Sequence, residues 1–285
     1  MLAIIVSTVA VATVFGLTFA GVPLFATSEA PMVTPTPSPT PHHKTTYSGG
    51  GYIAPPTPSP TPIPVPPGAY GSLNWAGYAA VSNLTAPTSV VSNVSAYWTV
   101  PEVDPAINNA FSSAWVGIGG VSVGNVSDNT LIQTGTTMYV QSGIPRYYAW
   151  YELLPDNSLE IPSIGIFPGD EMYASVALLN ETTNYWNINI TDITSHDTFS
   201  KNVTYESSRV SADWIVERPY VNGELSELAN FGNVTFTNCT ATLTTMGELN
   251  AFPDMAVVMY KGSQIIATVT AITDEGTKFT VMYTA

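Results

Sequence analysis

Between Tyr185 and Thr191, the apolar residues Trp186, Ile188 and Ile190 alternate with Asn187, Asn189 and Thr191. Apolar side chains at every second position put one face of an extended strand against a core and leave the other to water. Runs of this kind cover Met172 to Leu178, Ala256 to Tyr260, Ile265 to Ala271 and Lys278 to Tyr283. Gly, Pro, Asn and Asp break the chain at short intervals, no stretch carries a convincing helical period, and strands do not alternate with helices. From about Tyr70 to Ala285 this pattern predicts an all-β domain, an antiparallel β-sandwich.

The first 69 residues follow other rules. Residues 1–22 are uncharged and almost wholly apolar, a run long enough to cross a bilayer. Residues 1–29 therefore read as a secretory signal, with a small-residue site near Ala26, or as a membrane anchor, and export is favoured. Residues 30–69 are rich in Pro, Thr and Ser, with two proline tracts around Gly49-Gly50-Gly51. Repeated prolines hold an extended polyproline spacer rather than a core. Asn-X-Ser/Thr sequons begin at Asn83, Asn93, Asn125, Asn180, Asn189, Asn202, Asn233 and Asn238. Behind an export segment they suggest a glycosylated surface on a protein working outside the cell, secreted or tethered to the membrane's outer face.

Composition narrows the chemistry. Only 10% of residues are charged, and 7 Lys+Arg against 21 Asp+Glu give a net charge of -14. With no basic stripe to neutralise phosphates, nucleic acid is not an expected partner. Few bases also mean little self-repulsion once acid has protonated the carboxylates. Cys239 is the single cysteine, so no internal disulfide can form. His42 and His43 lie in the spacer, and His196 sits in the turn-like Thr194-Ser195-His196-Asp197. A Ser-His or Cys-His pair is thus poorly supported, and neither HExxH nor paired cysteines offer a zinc site. No metal or cofactor is expected. Carboxylates and amides remain as candidate catalytic groups.

Eight short motifs then follow in order: Asn74-Trp75-Ala76-Gly77, Trp98-Thr99-Val100-Pro101, Ser113-Ala114-Trp115-Val116-Gly117-Ile118, Ile132-Gln133-Thr134-Gly135, Ala149-Trp150-Tyr151-Glu152, Gly169-Asp170, Ala212-Asp213-Trp214-Ile215-Val216-Glu217 and Phe231-Gly232-Asn233-Val234-Thr235-Phe236. In order and spacing they resemble the glutamic peptidase (eqolisin) family. The resemblance implies two curved antiparallel sheets, concanavalin- or jelly-roll-like, and an acid endopeptidase, expected to be monomeric, that acts on polypeptides. Its catalytic pair falls on Gln133 and Glu217: the glutamate as general base toward a water, the glutamine amide as oxyanion donor. Glutamate titrates near ~4.3 when free, so little tuning is expected for work at about pH 3 to 4.

Without the resemblance, Gln133 is a polar strand residue and Glu217 a surface carboxylate. Alternation from Asp213 to Glu217 sets Trp214 and Val216 on one face and Asp213, Ile215 and Glu217 on the other. Trp75, Trp115, Trp150, Tyr151 and Glu152 are candidates for substrate binding. Trp75 and Trp115 fit either a groove or the core, and Glu152 either a cleft or solvent. Two positions depart from the family: Gly119 and Thr137 stand where it usually has aspartate. The competing function is a carbohydrate-active or carbohydrate-binding sandwich, because Asp213 and Glu217 have the i, i+4 spacing of a glycosidase pair. A non-catalytic surface module is the third reading.

Overall fold

The computed structural model describes residues 65–122, 128–273 and 276–285. The expected leader (1–29) and most of the expected spacer (30–69) lie outside the described residues, as does the sequon at Asn125. Nineteen strands follow one another among the described residues. They are β1 (Tyr70–Ser72), β2 (Trp75–Val81), β3 (Asn93–Thr99), β4 (Ala110–Gly119), β5 (Leu131–Gln141), β6 (Ile144–Leu153), β7 (Leu159–Glu160), β8 (Glu171–Asn180), β9 (Tyr185–Asp192) and β10 (Thr198–Thr204). The remainder are β11 (Ser211–Glu217), β12 (Tyr220–Val221), β13 (Glu224–Leu225), β14 (Glu227–Leu228), β15 (Asn233–Thr242), β16 (Met246–Glu248), β17 (Asp254–Lys261), β18 (Gln264–Val269) and β19 (Phe279–Tyr283). The all-β, antiparallel fold class is as expected, with parallel pairing only for β1 on β17 and β14 on β4.

The strands make two sheets joined along one edge. Sheet one runs β6-β5-β4-β11-β2-β17. Sheet two runs β10-β9-β8-β3-β15-β19-β18. Strand β17 serves both, because Asp254–Val257 pair with β2 and Met259–Lys261 with β18 across an irregularity in register.

Sheet two keeps the alternation read in the sequence, burying Trp186, Ile188 and Ile190 of β9 and turning the residues between them outward. Those inner faces meet Ala114 and Val116 of β4 and Trp214 and Val216 of β11. Two indoles tie the sheets together: Trp214 Nε1 donates to the Ser95 carbonyl at 2.9 Å, and Trp98 Nε1 donates to Thr136 Oγ1 at 3.0 Å. A buried indole N–H needs such a partner, and truncating such a residue to alanine costs about 3–5 kcal/mol.

Sheet one behaves differently. Every residue of β2, β4 and β11 is buried, on both faces. The face turned away from sheet two carries a second apolar cluster with Trp75, Trp115, Leu131, Trp150, Leu154 and Ile215. Among these tryptophans sit the polar side chains that the motifs singled out.

Candidate active site

Register places the candidate residues on this second face. One row across sheet one reads Trp75, Glu217, Ser113, Thr137, Tyr148. The next same-face row reads Gly77, Ile215, Trp115, Gly135, Trp150, and the one beyond it Ala79, Asp213, Gly117, Gln133, Glu152. Glu217 projects with Asp213 and Ile215, opposite Trp214, as alternation requires. Glycine is needed in the middle row: a Cβ on Gly135 would lie 2.5 Å from Trp115 Cβ, so only a bare backbone lets that indole stand beside it. In the third row a Cβ on Gly117 would lie 2.9 Å from Gln133 Cβ.

Glu217 is 2% exposed, yet both carboxylate oxygens are held. Oε1 accepts from Asn74 Nδ2 at 3.2 Å and Oε2 from Trp115 Nε1 at 2.9 Å. Trp75 stands edge-on to Trp115 with ring centroids 4.9 Å apart. Burial pushes the Glu217 carboxyl up to about 7, against the pull of hydrogen bonds from Trp115, Trp75 and Asn74. This corrects the expectation of a value near that of free glutamate: desolvation disfavours the charged form by more than three donors restore. Glu152, 1% exposed, does not face solvent. Its carboxyl is pushed up to about 8, by burial first and by the charge of Glu217 second. Gln133 Nε2 donates to Glu152 Oε2 at 2.5 Å, while Gln133 Oε1 and Glu152 Oε1 are buried with no partner.

Ser113, Thr137, Trp150, Glu152, Glu217 and Pro219 line a small cleft that opens to solvent. Trp150 Nε1 is another buried polar atom without a partner. Tyr151 points the other way, stacking on Phe199 in the core with centroids 5.5 Å apart. Trp75 and Trp115 belong to the second apolar cluster and the Glu217 surround together, so groove and core are not alternatives for them.

The two departures have physical consequences. Gly119 has φ +93, and a Cβ there would lie 2.6 Å from the Thr130 carbonyl, so an aspartate does not fit this backbone. Beside it stands a carboxylate that the motifs did not mark. Asp128 accepts from Gly120 N at 2.7 Å, from Thr130 N at 2.9 Å and from Ser208 Oγ, fastening the start of β5 to the segment before β11. The signal for it was Asp128-Asn129-Thr130, an Asx turn. At the second departure Thr137 Oγ1 hydrogen-bonds Ser113 Oγ at 2.7 Å, a neutral pair in the cleft wall.

Asp213 is fully buried and accepts from Ser211 Oγ at 3.1 Å, and burial holds its carboxyl well above the usual range. His196 is exposed in the turn between β9 and β10. Among the described residues no three His, Cys, Asp or Glu side chains group as metal ligands.

A family model for the Peptidase A4 family matches residues 73–283, which includes every strand of both sheets and the whole candidate site. The chain belongs to this family, the glutamic peptidases or eqolisins. It is 34% identical over 151 residues to aspergillopepsin-2 of Aspergillus niger, covering 52% of this chain and 51% of the relative. It is 30% identical over 180 residues to scytalidopepsin B of Scytalidium lignicola, covering 59% and 63%. The chain thus spans about half to three-fifths of the curated relatives it matches. Crystal structures of scytalido-glutamic peptidase share the fold. One with a transition state analog inhibitor gives a TM-score of 0.62 at 24% identity over 74% of this chain and 98% of that one. Another, with a peptide based transition state analog, gives 0.61 at 25% identity over the same shares.

Proposed function

We propose that this glutamic peptidase is an acid endopeptidase that hydrolyses polypeptides with Glu217 and Gln133. The observation that carries the reading is the Glu217 carboxylate, buried in the wall of a cleft it shares with Trp150 and Glu152 and held by Asn74 and Trp115. Glu217 takes a proton from a water, which attacks the scissile carbonyl. Gln133 donates Nε2–H to the oxygen that becomes negative, and Glu217 then returns the proton to the departing amine as the C–N bond breaks.

Glu152 fits this scheme as the group that orients Gln133. Its 2.5 Å separation from the amide is short for N–H···O but ordinary for O–H···O. In acid Glu152 carries its proton. Its hydroxyl then donates to Gln133 Oε1 once the amide is turned over, which releases Nε2 from Glu152 to serve as a donor. The raised Glu217 carboxyl moves the working range upward from about pH 3 to 4, since below about 7 its ionised share falls about tenfold per pH unit. The apolar run at 1–22, the Pro/Thr tract and the sequons support a place outside the cytoplasm, secreted or tethered through residues 1–22.

The reading is tested by following cleavage of an acid-denatured protein from pH 2 to 8, with and without a chelator and a serine-directed fluorophosphonate. Acid-range proteolysis untouched by either reagent is expected. Zinc-restored activity after chelation, or cleavage of a polysaccharide but not of protein, overturns it.

A further inference from the structure

We infer that the outer face of sheet two is an N-glycan-bearing surface, with asparagine-linked oligosaccharide on one side of the molecule and the catalytic face left bare. The inference rests on the proposal that the chain is exported.

Six of the seven described sequons lie on three parts of one sheet: Asn93 on β3, Asn180, Asn189 and Asn202 on the β8-β9-β10 edge, and Asn233 and Asn238 on β15. Strands β2, β4, β5, β6 and β11, which build the catalytic face, hold none. The phase of the five sequons inside strands is uniform. An Asn-X-Thr tripeptide in a strand puts Asn and Thr on the same face and the middle residue on the other. Here the middle residues Val94, Ile190, Val234 and Cys239 are fully buried, and Val203 packs partly buried against the core. Asn93, Asn189, Asn202 and Asn233 therefore point away from the core, and Asn238, at φ 50 where the β15 register shifts, is exposed. Oligosaccharide is added before folding is complete, so the fold acts as a filter, because a modified asparagine turned inward could not be packed.

Local hydrogen bonding engages the carbonyl rather than the acceptor nitrogen at three of the sequons. Asn83 Oδ1, in the loop after β2, accepts from Thr85 N, Thr85 Oγ1 and Ala86 N at 2.9, 2.8 and 3.2 Å. Asn202 Oδ1 accepts from Asn187 Nδ2 at 2.8 Å, and Asn180 Oδ1 from Thr183 N at 3.2 Å. In each the bond to the protein is made through the carbonyl, whereas Asn189 Nδ2 donates to Thr191 Oγ1 at 3.4 Å.

The face itself lacks what keeps a flat sheet apart from its copies. The outward positions of β3, β9, β10 and β15 are Ser, Thr, Asn and Tyr without a charge, and β8 between β9 and β3 adds the carboxylate Glu171 at its start. Their hydroxyls pair with one another, as Ser95 with Thr240 at 2.8 Å and Thr191 with Thr198 at 3.1 Å. The charge that normally hydrates and separates such a surface is sparse, and oligosaccharide supplies that hydration in uncharged form. In the modification the asparagine Nδ2 attacks C1 of a polyprenol-phosphate-linked oligosaccharide. The N–C1 bond forms, the C1–O bond to phosphate breaks, and the lost amide proton leaves with the phosphate.

The test is peptide mass mapping of the enzyme purified from the medium of the cells that make it. Peptides holding Asn202, Asn233 and Asn238 are expected to carry a hexose-series mass excess, and peptides of the catalytic strands none. In a secretory host, Thr204→Ala removes the excess at Asn202 and Thr204→Ser keeps it, with proteolysis unchanged in both. Secreted, active enzyme with the six sequons of sheet two at their unmodified masses overturns the inference while leaving export intact. Sugar confined to the Pro/Thr tract overturns it equally. A chain found only in the cytosol overturns the export proposal and this inference together.

Discussion

Burying ionisable carboxyls makes the fold itself depend on pH, and Glu152 gives the cleanest case. Its carboxyl rises from 4.5 to about 8, through burial and then the Glu217 charge. Between those values the folded chain keeps a proton that the unfolded chain has released, so stability falls as pH rises. Glu152's contribution is complete below about 4.5 and lost by about 8. At about 1.4 kcal/mol per pH unit, ionising Glu152 in place costs on the order of 5 kcal/mol, a large share of a typical domain's stability. Glu152→Gln keeps the shape and hydrogen bonds but cannot ionise. Urea unfolding followed by tryptophan fluorescence, from pH 4 to 8, measures the difference. The Glu217→Gln background suppresses self-digestion, and burial alone still holds Glu152 up there. The two proteins should agree near pH 4 and diverge by several kcal/mol near pH 8, with the glutamine variant the more stable. Parallel curves across that window would refute the argument.

Two further outcomes follow from the site. Gln133→Ala removes an oxyanion donor and should lower kcat by roughly 10²–10³ in steady-state peptide cleavage, with circular dichroism unchanged. Trp115→Phe keeps an aromatic side chain, though a smaller one, and removes the N–H that stabilises ionised Glu217. Such a charge-assisted bond is worth about 1.5–3 kcal/mol, so the acid limb of the kcat/KM profile should move up by about one to two pH units.

Sheet two was legible because water lies on one of its faces. Trp186, Ile188 and Ile190 fix the β9 register through a period of two, and the observed strand extends that run by a single residue, Asp192. Sheet one was legible only through motifs. Its strands are buried on both faces, so Ser112 and Ser113 in β4, or Thr134 and Thr136 in β5, break any apolar alternation while sitting in the interior. The same double burial hid the chemistry. From the chain alone Glu152 fits solvent as well as a cleft, and nothing in Ala149-Trp150-Tyr151-Glu152 says that Glu152 opposes Gln133 in register. Nor does the sequence show that burial raises Glu217, since desolvation depends on which rows of the sheet lie side by side. Asp128 escaped because its role is to receive donors from three separate segments.

The account turns on Glu217 as the ionisable base, and the direct measurement is cleavage of one acid-denatured protein by wild type and by Glu217→Gln at equal concentration, with each fold checked by circular dichroism. Glutamine preserves size and can still bond Asn74 or Trp115, so the variant should fold while proteolysis drops to background. A folded Glu217→Gln enzyme that cleaves at near wild-type rate would contradict the central claim.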